Sequence, residues 1–200
     1  HITHLDFKLV GQAVVKFFPQ NEIQRTLLEK CQTVNLPQDY SLSTWKNEYL
    51  EQACELIYEA FKDKRDSEFD PRFKTIEGSK DIVTKIVENF YGQYFPEATT
   101  VLLHKERVEG ICFVNLTVPS IANIPLIGLK NTHKQKGLGK LILKNSLEKV
   151  INIDPGIKEI NATTDTDNHA AVKMYRSIGF KEHYSYPHAY LKNKNNKDNA

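Results

Sequence analysis

A chain of 200 residues with 40% hydrophobic and 10% aromatic residues can bury a sizeable core, which excludes a disordered protein and indicates one large domain. The formal net charge of +2 gives no overall reason to expect a nucleic-acid or membrane partner. The three cysteines, Cys31, Cys54 and Cys112, are widely spaced, which fits neither a metal site nor a disulfide framework and favours a reducing, cytoplasmic compartment. No apolar run is long enough to cross a membrane, and the first residues lack the pattern of a signal peptide.

Residues 1–37 are predicted to be an N-terminal extension of unknown role. Residues 5–18 are rich in β-branched and aromatic side chains but irregular, and Pro19 precedes a short helical pattern that ends near Cys31. The pattern leaves open whether this segment adds a strand to the main sheet or to a partner. At the other end, residues 192–200 are rich in lysine and asparagine and are predicted to be a disordered tail.

The main domain is predicted over residues 38–191, and five segments of its first half have the periodicity of regular secondary structure. These are a strand at 40–45, a helix at 48–62, a second helix at 81–94, and the strands of a hairpin at 99–104 and 110–118. Residues 62–72 are dense in charges of both signs, which indicates an exposed loop.

The second half of the domain alternates strands and helices. Its predicted elements are an apolar strand at 124–129, a helix after a glycine loop, a strand at 157–163, a helix at 168–178 and one or two strands within 180–191. The full order predicts a single α/β domain around a mixed sheet.

The glycine loop reads Lys134, Gln135, Lys136, Gly137, Leu138, Gly139, Lys140. Glycines let backbone N–H groups turn toward a ligand, and the helix that follows adds unpaired donors and its dipole, so this place suits a phosphate. The stretch 130–149 carries six lysines against Glu148 alone, although for Lys144 and Lys149 the solvated face of a helix is the favoured interpretation. By itself the loop is first interpreted as a tight strand-to-helix turn, which needs small residues whether or not a ligand binds there.

The helix predicted at 168–178 supplies a second feature. Ala171, Met174, Tyr175 and Ile178 follow helical spacing, so Tyr175 falls on the buried stripe, while Asn168 stands where a helix N-cap belongs. A tyrosine at such a position is ambiguous, because core packing and a functional role predict the same spacing.

Together the two segments resemble the GCN5-related N-acetyltransferase (GNAT) superfamily. Its signature is Gln or Arg, two residues, Gly, one residue, Gly or Ala, and later a helix with Asn, Ala and Tyr before a Gly-Phe pair. The matching motifs lie at 123–140 and 164–180, and the element order agrees over about 38–190. The resemblance implies the acyl-CoA N-acyltransferase (GNAT) fold, with a mixed, mostly antiparallel central sheet flanked by helices.

The resemblance also implies roles for individual residues. Backbone groups of Ile127 and Leu129 would hold the pantetheine arm of acetyl-CoA, and Asn168 would hydrogen-bond near it. Tyr175 would lie by the thioester sulfur and protonate the leaving thiolate as an amine attacks. The pyrophosphate would be cradled by the N–H groups of residues following Lys134, namely Gln135, Lys136, Gly137, Leu138, Gly139 and Lys140.

Two residues depart from the family pattern. Lys134 stands where Arg or Gln is usual, which replaces a planar fork by a point charge. Asn123 stands where many relatives have a glutamate base, and an amide cannot accept that proton. The sequence leaves the base open among His104, Glu109, His183 and His188 acting through water, and an amine that arrives neutral.

The resemblance therefore predicts an enzyme that transfers an acetyl group from acetyl-CoA to a primary amine of a small molecule or peptide, as a monomer or homodimer. Acceptor specificity is expected from the loop at 62–73, the second helix and residues 184–190. The alternative is a non-catalytic acyl-CoA-binding or protein-interaction module on the same fold, and a nucleic-acid binder is disfavoured because no aromatic residues interleave the lysines. No histidine pair has zinc-site spacing, so no metal is expected, and four histidines are predicted at the surface: His1, His4, His133 and His169.

Overall fold

The computed structural model describes residues 7–191, with side chains from 9 to 189, so the predicted tail at 192–200 lies outside it. The strands are β1 Phe7–Phe17, β2 Tyr40–Thr44, β3 Gln93–Tyr94, β4 Thr100–His104, β5 Arg107–Cys112, β6 Asn115–Val118, β7 Ile121–Ile124, β8 Ile127–Leu129, β9 Glu159–Asp165 and β10 Lys181–Leu191. The helices are α1 Glu22–Lys30, α2 Leu50–Phe61, α3 Asp66–Phe69, α4 Ile76–Val87, α5 Leu138–Ile153 and α6 His169–Ile178. Short 3-10 turns occur at Asn47–Tyr49, Pro71–Lys74 and Asn131–His133.

The strands form two sheets that share continuous stretches of chain. One sheet has the order β10-β1-β9-β7-β6-β3 and the other the order β2-β4-β5-β8. Within the described residues, β7 and β9 form the single parallel pair, which confirms the predicted mixed, mostly antiparallel architecture.

Two predicted strands are each divided between the sheets. The run 110–118 breaks at Phe113 and Val114, where the Val114 N–H donates to Thr99 Oγ1 instead of a strand neighbour. The run 124–129 breaks at Pro125, which has no N–H to continue a ladder. The chain therefore leaves one sheet and enters the other at both places, and the sheets diverge beyond them.

The N-terminal segment adds a strand, β1, to the six-stranded sheet. β1 lies between β9 and β10 and is antiparallel to both, with Val15 opposite Ala162 and Glu182. Val15 and Phe17 are fully buried. The buried side chain of Gln24 in α1 donates to the carbonyls of Lys16 and Gly179, so the segment is joined to the rest of the core.

Helices cover both faces of the four-stranded sheet. On one face, Leu102 and Cys112 belong to the same buried cluster as Ile142 and Leu143 of α5. On the other face, the strand residues Val101 and Ile111 pack with α2 and α4, which contribute Ala53, Ile57, Ile82 and Ile86. This alternation is what strands buried on both sides require. Within the described range, no helix combines the length and the apolar character needed to cross a membrane.

The helix predicted at 81–94 corresponds to α4, which begins and ends earlier than the periodicity of the sequence indicates. It starts at Ile76 because Thr75 Oγ1 caps it by accepting the N–H of Gly78, and it ends before Asn89, which has a φ of 68°. Phe90, which the predicted helix at 81–94 includes, lies beyond the end of α4 and is 69% exposed. The predicted loop at 62–72 also contains the short helix α3.

Candidate functional site

The two sheets separate after the β7–β9 pairing, and the place between β8 and β9 where they do so is called the cleft below. The parallel pairing of β7 with β9 ends at Ile124 opposite Ala162. Beyond it, β8 is paired on one side only, with β5, within the described part of the chain. One edge of β8 therefore faces β9 with its backbone groups unpaired.

The register shows which residues present that edge. The Phe113 N–H donates to Leu126 O at 3.0 Å, and the Lys130 N–H donates to Glu109 O at 2.9 Å. Backbone groups alternate in direction along an antiparallel strand, so those of Ile127 and Leu129 point away from β5 toward the cleft. These are the two residues that the resemblance assigns to the pantetheine arm.

The glycine loop follows β8 and has two residues in the left-handed region. Gln135 has a φ of 62° and Gly137, the N-cap residue of α5, has a φ of 75°. Among the described residues, no backbone or side-chain acceptor meets the N–H groups of residues 135–140. Three of these donors precede α5 and three belong to its first turn, and unpaired donors at the start of a 16-residue helix favour an anion.

The two glycines of the loop differ in what their surroundings allow. A Cβ on Gly137 would lie 2.7 Å from Cγ1 of Val34, and its positive φ already disfavours other residues. At Gly139 the nearest atom to such a Cβ is Sδ of Met174 at 3.6 Å, an ordinary contact. The fold therefore needs Gly137, whereas nothing in the described structure excludes alanine at Gly139.

The charges around the loop are partly buried. Burial lowers the pKa of Lys134, and the nearby Lys64 ammonium lowers it further, while Asp66 opposes both. The expectation of solvated side chains is wrong for Lys144 and Lys149. Lys144 Nζ donates to Cys31 O at 2.9 Å, and burial lowers the pKa of Lys149.

Tyr175 lies in the core, in the same buried cluster as Ile124 and Ala162. It is 3% exposed, and its ring packs edge-on against Phe180 at 5.2 Å. Burial is the main cause that raises the pKa of Tyr175, and the nearby Cys112 adds to it. The phenol is thus held protonated, as a proton donor requires, although core packing alone would also account for its position.

Asn168 caps α6. Its Oδ1 accepts the N–H of Ala171 at 3.1 Å, and the residue is exposed. The N-cap role predicted from the sequence is therefore present, and it leaves the amide nitrogen of the side chain available to a ligand.

A salt-bridge pair joins the loop at 62–72 to the end of β9. Arg65 Nε lies 3.4 Å from Asp165 Oδ2, and Arg65 Nη1 lies 2.5 Å from Asp167 Oδ2. This contact brings α3 to the mouth of the cleft. The sequence contained the signal, a charge-dense loop and two aspartates after a strand, but not their pairing.

Asn123 lies in a row of amides across three strands. It is directly opposite Asn115 of β6 and Asn161 of β9, so the three side chains share one face of the sheet. The row itself contains no group that can accept a proton from an ammonium.

Glu159 is a carboxylate near Asn123 that sequence reasoning missed. It precedes Asn161 by two residues on the same face, which places it roughly 8 Å from Asn123. Lys16 Nζ lies 2.8 Å from its Oε1. Burial, the largest influence, would raise the pKa of Glu159, but hydrogen bonds from Lys16 and Asn161 bring it below its ordinary value overall.

The four base candidates named from the sequence lie in two regions of the structure. Glu109 is next to Lys130, at the end of β8 that leads into the glycine loop, and His104 is close to Glu109. His183 and His188 are exposed on β10, two strands from β9, and His183 is close enough to Glu159 to help lower the pKa of that carboxylate. None of the four is hydrogen-bonded to Asn123 within the described residues.

The prediction that His133 is a surface residue is wrong, because its side chain is only 11% exposed and contacts Tyr40 and His104. His169 is exposed as predicted, and His1 and His4 lie outside the described residues.

Comparisons with known proteins agree with this geometry. The model of the Acetyltransferase (GNAT) family matches residues 54–180. A GCN5-related N-acetyltransferase from Sphaerobacter thermophilus has a TM-score of 0.66 at 16% identity, over 92% of this chain and 53% of that one. A tandem GNAT protein from the clavulanic acid biosynthesis pathway has a TM-score of 0.62 at 17% identity, and the match covers 94% of this chain and 55% of that one. The ribosomal-protein-S18-alanine N-acetyltransferase from Escherichia coli has a TM-score of 0.56 at 15% identity, and the match covers 80% of this chain and 99% of that one.

The chain thus spans about half the length of the first two structures, and at these identities the likeness shows the fold alone. No curated protein sequence matches it. The family model nevertheless covers well over half of the chain and includes β8, the glycine loop and α6. The chain therefore belongs to the GNAT acetyltransferase family, whose activity is acyl transfer.

Proposed function

We propose that this chain is an N-acetyltransferase that uses acetyl-CoA as donor and a primary amine of a small molecule or peptide as acceptor. The observation that carries the proposal is the row of unpaired N–H groups at residues 135–140, beside the open edge of β8. A diphosphate and an amide-containing arm, joined as they are in coenzyme A, match these two surfaces in order.

Backbone groups of Ile127 and Leu129 would bind the amides of the arm as an added strand does. The N–H groups from Gln135 to Lys140 would bind the pyrophosphate, and Lys134, Lys136 and Lys140 add positive charge. Asn168 would reach the arm with its free amide nitrogen. The support is that the open edge of β8 leads directly into the loop.

Acetyl-CoA would supply an acetyl group activated as a thioester. The amine nitrogen attacks the carbonyl carbon, so that a C–N bond forms while the C–S bond breaks and sulfur takes the electron pair. Tyr175 gives its hydroxyl proton to that sulfur and regains one from solvent. The raised pKa of Tyr175 keeps the proton in place until the thiolate develops.

The attacking amine must also lose a proton, and Asn123 cannot accept it. We assign this role to Glu159 acting through water, because it is ionised and on the same face of the sheet as Asn123. The salt bridge to Lys16 holds the carboxylate in place. Glu159→Gln should therefore lower turnover most at low pH, where the amine arrives protonated.

Calorimetric titration with acetyl-CoA tests whether the chain binds the donor. Release of free thiol in the presence of a panel of amines, polyamines and peptides tests whether the chain transfers the acetyl group. Binding with thiol release is expected. The absence of binding at millimolar acetyl-CoA would refute the proposal. We expect the protein to be located in the cytoplasm, because its three cysteines are buried and free.

A second candidate is a non-catalytic acyl-CoA-binding or protein-interaction module on this fold. Asn123 favours it, because the position usual for a base carries an amide. Binding of acetyl-CoA without thiol release for any amine in the panel would select this alternative.

A further inference from the structure

Two histidines and a glutamate converge at one end of the four-stranded sheet, away from Asn123. His104 ends β4, Glu109 is in β5, and His133 is in the 3-10 turn that precedes the glycine loop. One ligand atom from each lies within 4.8 Å of the others. Three separate elements therefore bring nitrogen and carboxylate donors to a single point.

A β-bulge presents the glutamate. β4 and β5 pair as Leu102 with Gly110 and Leu103 with Val108, so Glu109 is an extra residue without a partner in β4. Bulges of this kind redirect a side chain and are common next to functional sites. Here the extra residue is the carboxylate of the cluster.

The glutamate is buried and only partly paired. Its side chain is 6% exposed, and Oε1 lies 3.4 Å from Lys130 Nζ. The other oxygen, Oε2, is buried without a hydrogen-bond partner among the described residues and lies 3.6 Å from His133 Nε2. A buried carboxylate oxygen without a partner is costly, which points to a cation that the pairing with Lys130 does not supply.

The histidine rings are held by a second set of contacts. His133 Nδ1 lies 2.9 Å from Thr132 Oγ1, and its Nε2 lies 2.9 Å from the Tyr40 hydroxyl. Tyr40 is opposite His104 on β2 and stacks on its ring at 4.4 Å. If Nδ1 donates to Thr132, the lone pair is on Nε2, where it accepts the Tyr40 hydroxyl in the absence of a metal and where a metal would replace that hydrogen bond.

We propose that His104, Glu109 and His133 form a binding site for one Zn²⁺ ion. Two imidazoles and a carboxylate suit zinc better than magnesium or calcium, which prefer oxygen ligands. Tetrahedral bonds of about 2.1 Å place ligand atoms about 3.4 Å apart, close to the 3.6 Å between His133 Nε2 and Glu109 Oε2. The three ligand atoms now lie within 4.8 Å of one another, so zinc would draw them closer together, and water would fill the fourth position.

The main test is calorimetric titration of the whole chain with ZnCl₂ after a chelator has removed bound metal. One equivalent is expected to bind. His104→Ala and His133→Ala should each weaken binding at least tenfold, whereas His169→Ala, an exposed histidine outside the cluster, should not. No zinc binding by the parent chain, or equal binding by all three variants, would overturn the proposal.

Two further variants distinguish this site from zinc binding elsewhere on the chain. His1→Ala with His4→Ala should retain the equivalent, and loss of binding in that double variant alone would place the zinc at the N-terminus. Lys130→Met removes the ammonium that competes for Glu109 and should tighten binding severalfold. Circular dichroism checks that each variant is folded, and the experiment needs no acetyl-CoA, so its outcome is independent of the proposed function.

Discussion

The two helices that follow the cleft strands begin in opposite ways. At α6, Asn168 accepts the N–H of Ala171, so the first turn is capped by the chain itself. At α5, Gly137 offers no side chain, and the donors of residues 138–140 meet no acceptor among the described residues. One helix start is therefore complete in the protein alone, whereas the other is suited to completion by an anion from outside.

The largest expected effect is a loss of turnover on replacing Tyr175, which lies in α6. Tyr175→Phe should lower turnover by about 100-fold, roughly 2.7 kcal/mol in barrier height, with little change in acetyl-CoA affinity. Since the pKa of Tyr175 is raised above its ordinary value, turnover of the parent chain should not fall through loss of this proton between pH 7 and 10. Thiol-release kinetics measure both, and unchanged turnover would leave Tyr175 as a packing residue.

At the start of α5, Gly137→Ala should destabilise the fold. The positive φ and the contact with Val34 together should cost about 2 kcal/mol, which lowers Tm by about 4–8 °C. Thermal unfolding by circular dichroism measures the change. An unchanged Tm would mean that the left-handed turn is not needed.

Two residues further on, Gly139→Ala should have the opposite profile. Stability should stay the same or rise by up to about 1 kcal/mol, because alanine is the better helix former and only Met174 is near. Acetyl-CoA affinity should fall about tenfold, since a methyl group enters the space of the pyrophosphate. If calorimetry gives the parent affinity, the pyrophosphate does not lie on this turn.

The smallest expected effect is at the capped helix. Asn168→Ala should cost about 1 kcal/mol of unfolding free energy, because the N–H of Ala171 loses its acceptor. Asn168→Asp keeps an acceptor oxygen and serves as the matched control for stability. A loss of acetyl-CoA affinity in both variants would assign the missing amide nitrogen to the ligand.

The parts of this site that the sequence predicted are local. The spacing of Ala171, Met174 and Tyr175 and the cap at Asn168 are encoded within one helix, so periodicity was sufficient to find them. The strand, loop and helix around Gly137 are likewise contiguous. The Thr75 cap of α4 was also a local signal, but the mixed charges around it hid the start of the helix.

The parts that the sequence did not predict depend on distant pairings. β1 pairs with residues 143 to 184 positions away. Its irregular apolar pattern reflects burial on both faces of the strand, because the consecutive residues Ala13, Val14 and Val15 are all buried. Glu159 gained meaning only from the alignment of β9 with β7. The contact between His133 and Glu109 requires a bulge, and bulges leave no reliable mark on residue spacing.

The buried side-chain amide of Gln24 in α1 connects β1 and α1 to the C-terminal end of α6, through the carbonyls of Lys16 and Gly179. The unit that folds is therefore larger than the stretch from 54 to 180 that carries the family pattern. A fragment trimmed to begin at residue 38 would lose the strand between β9 and β10 and leave the C-cap of α6 without its anchor. Fragments chosen for expression or for domain exchange should keep β1 and α1.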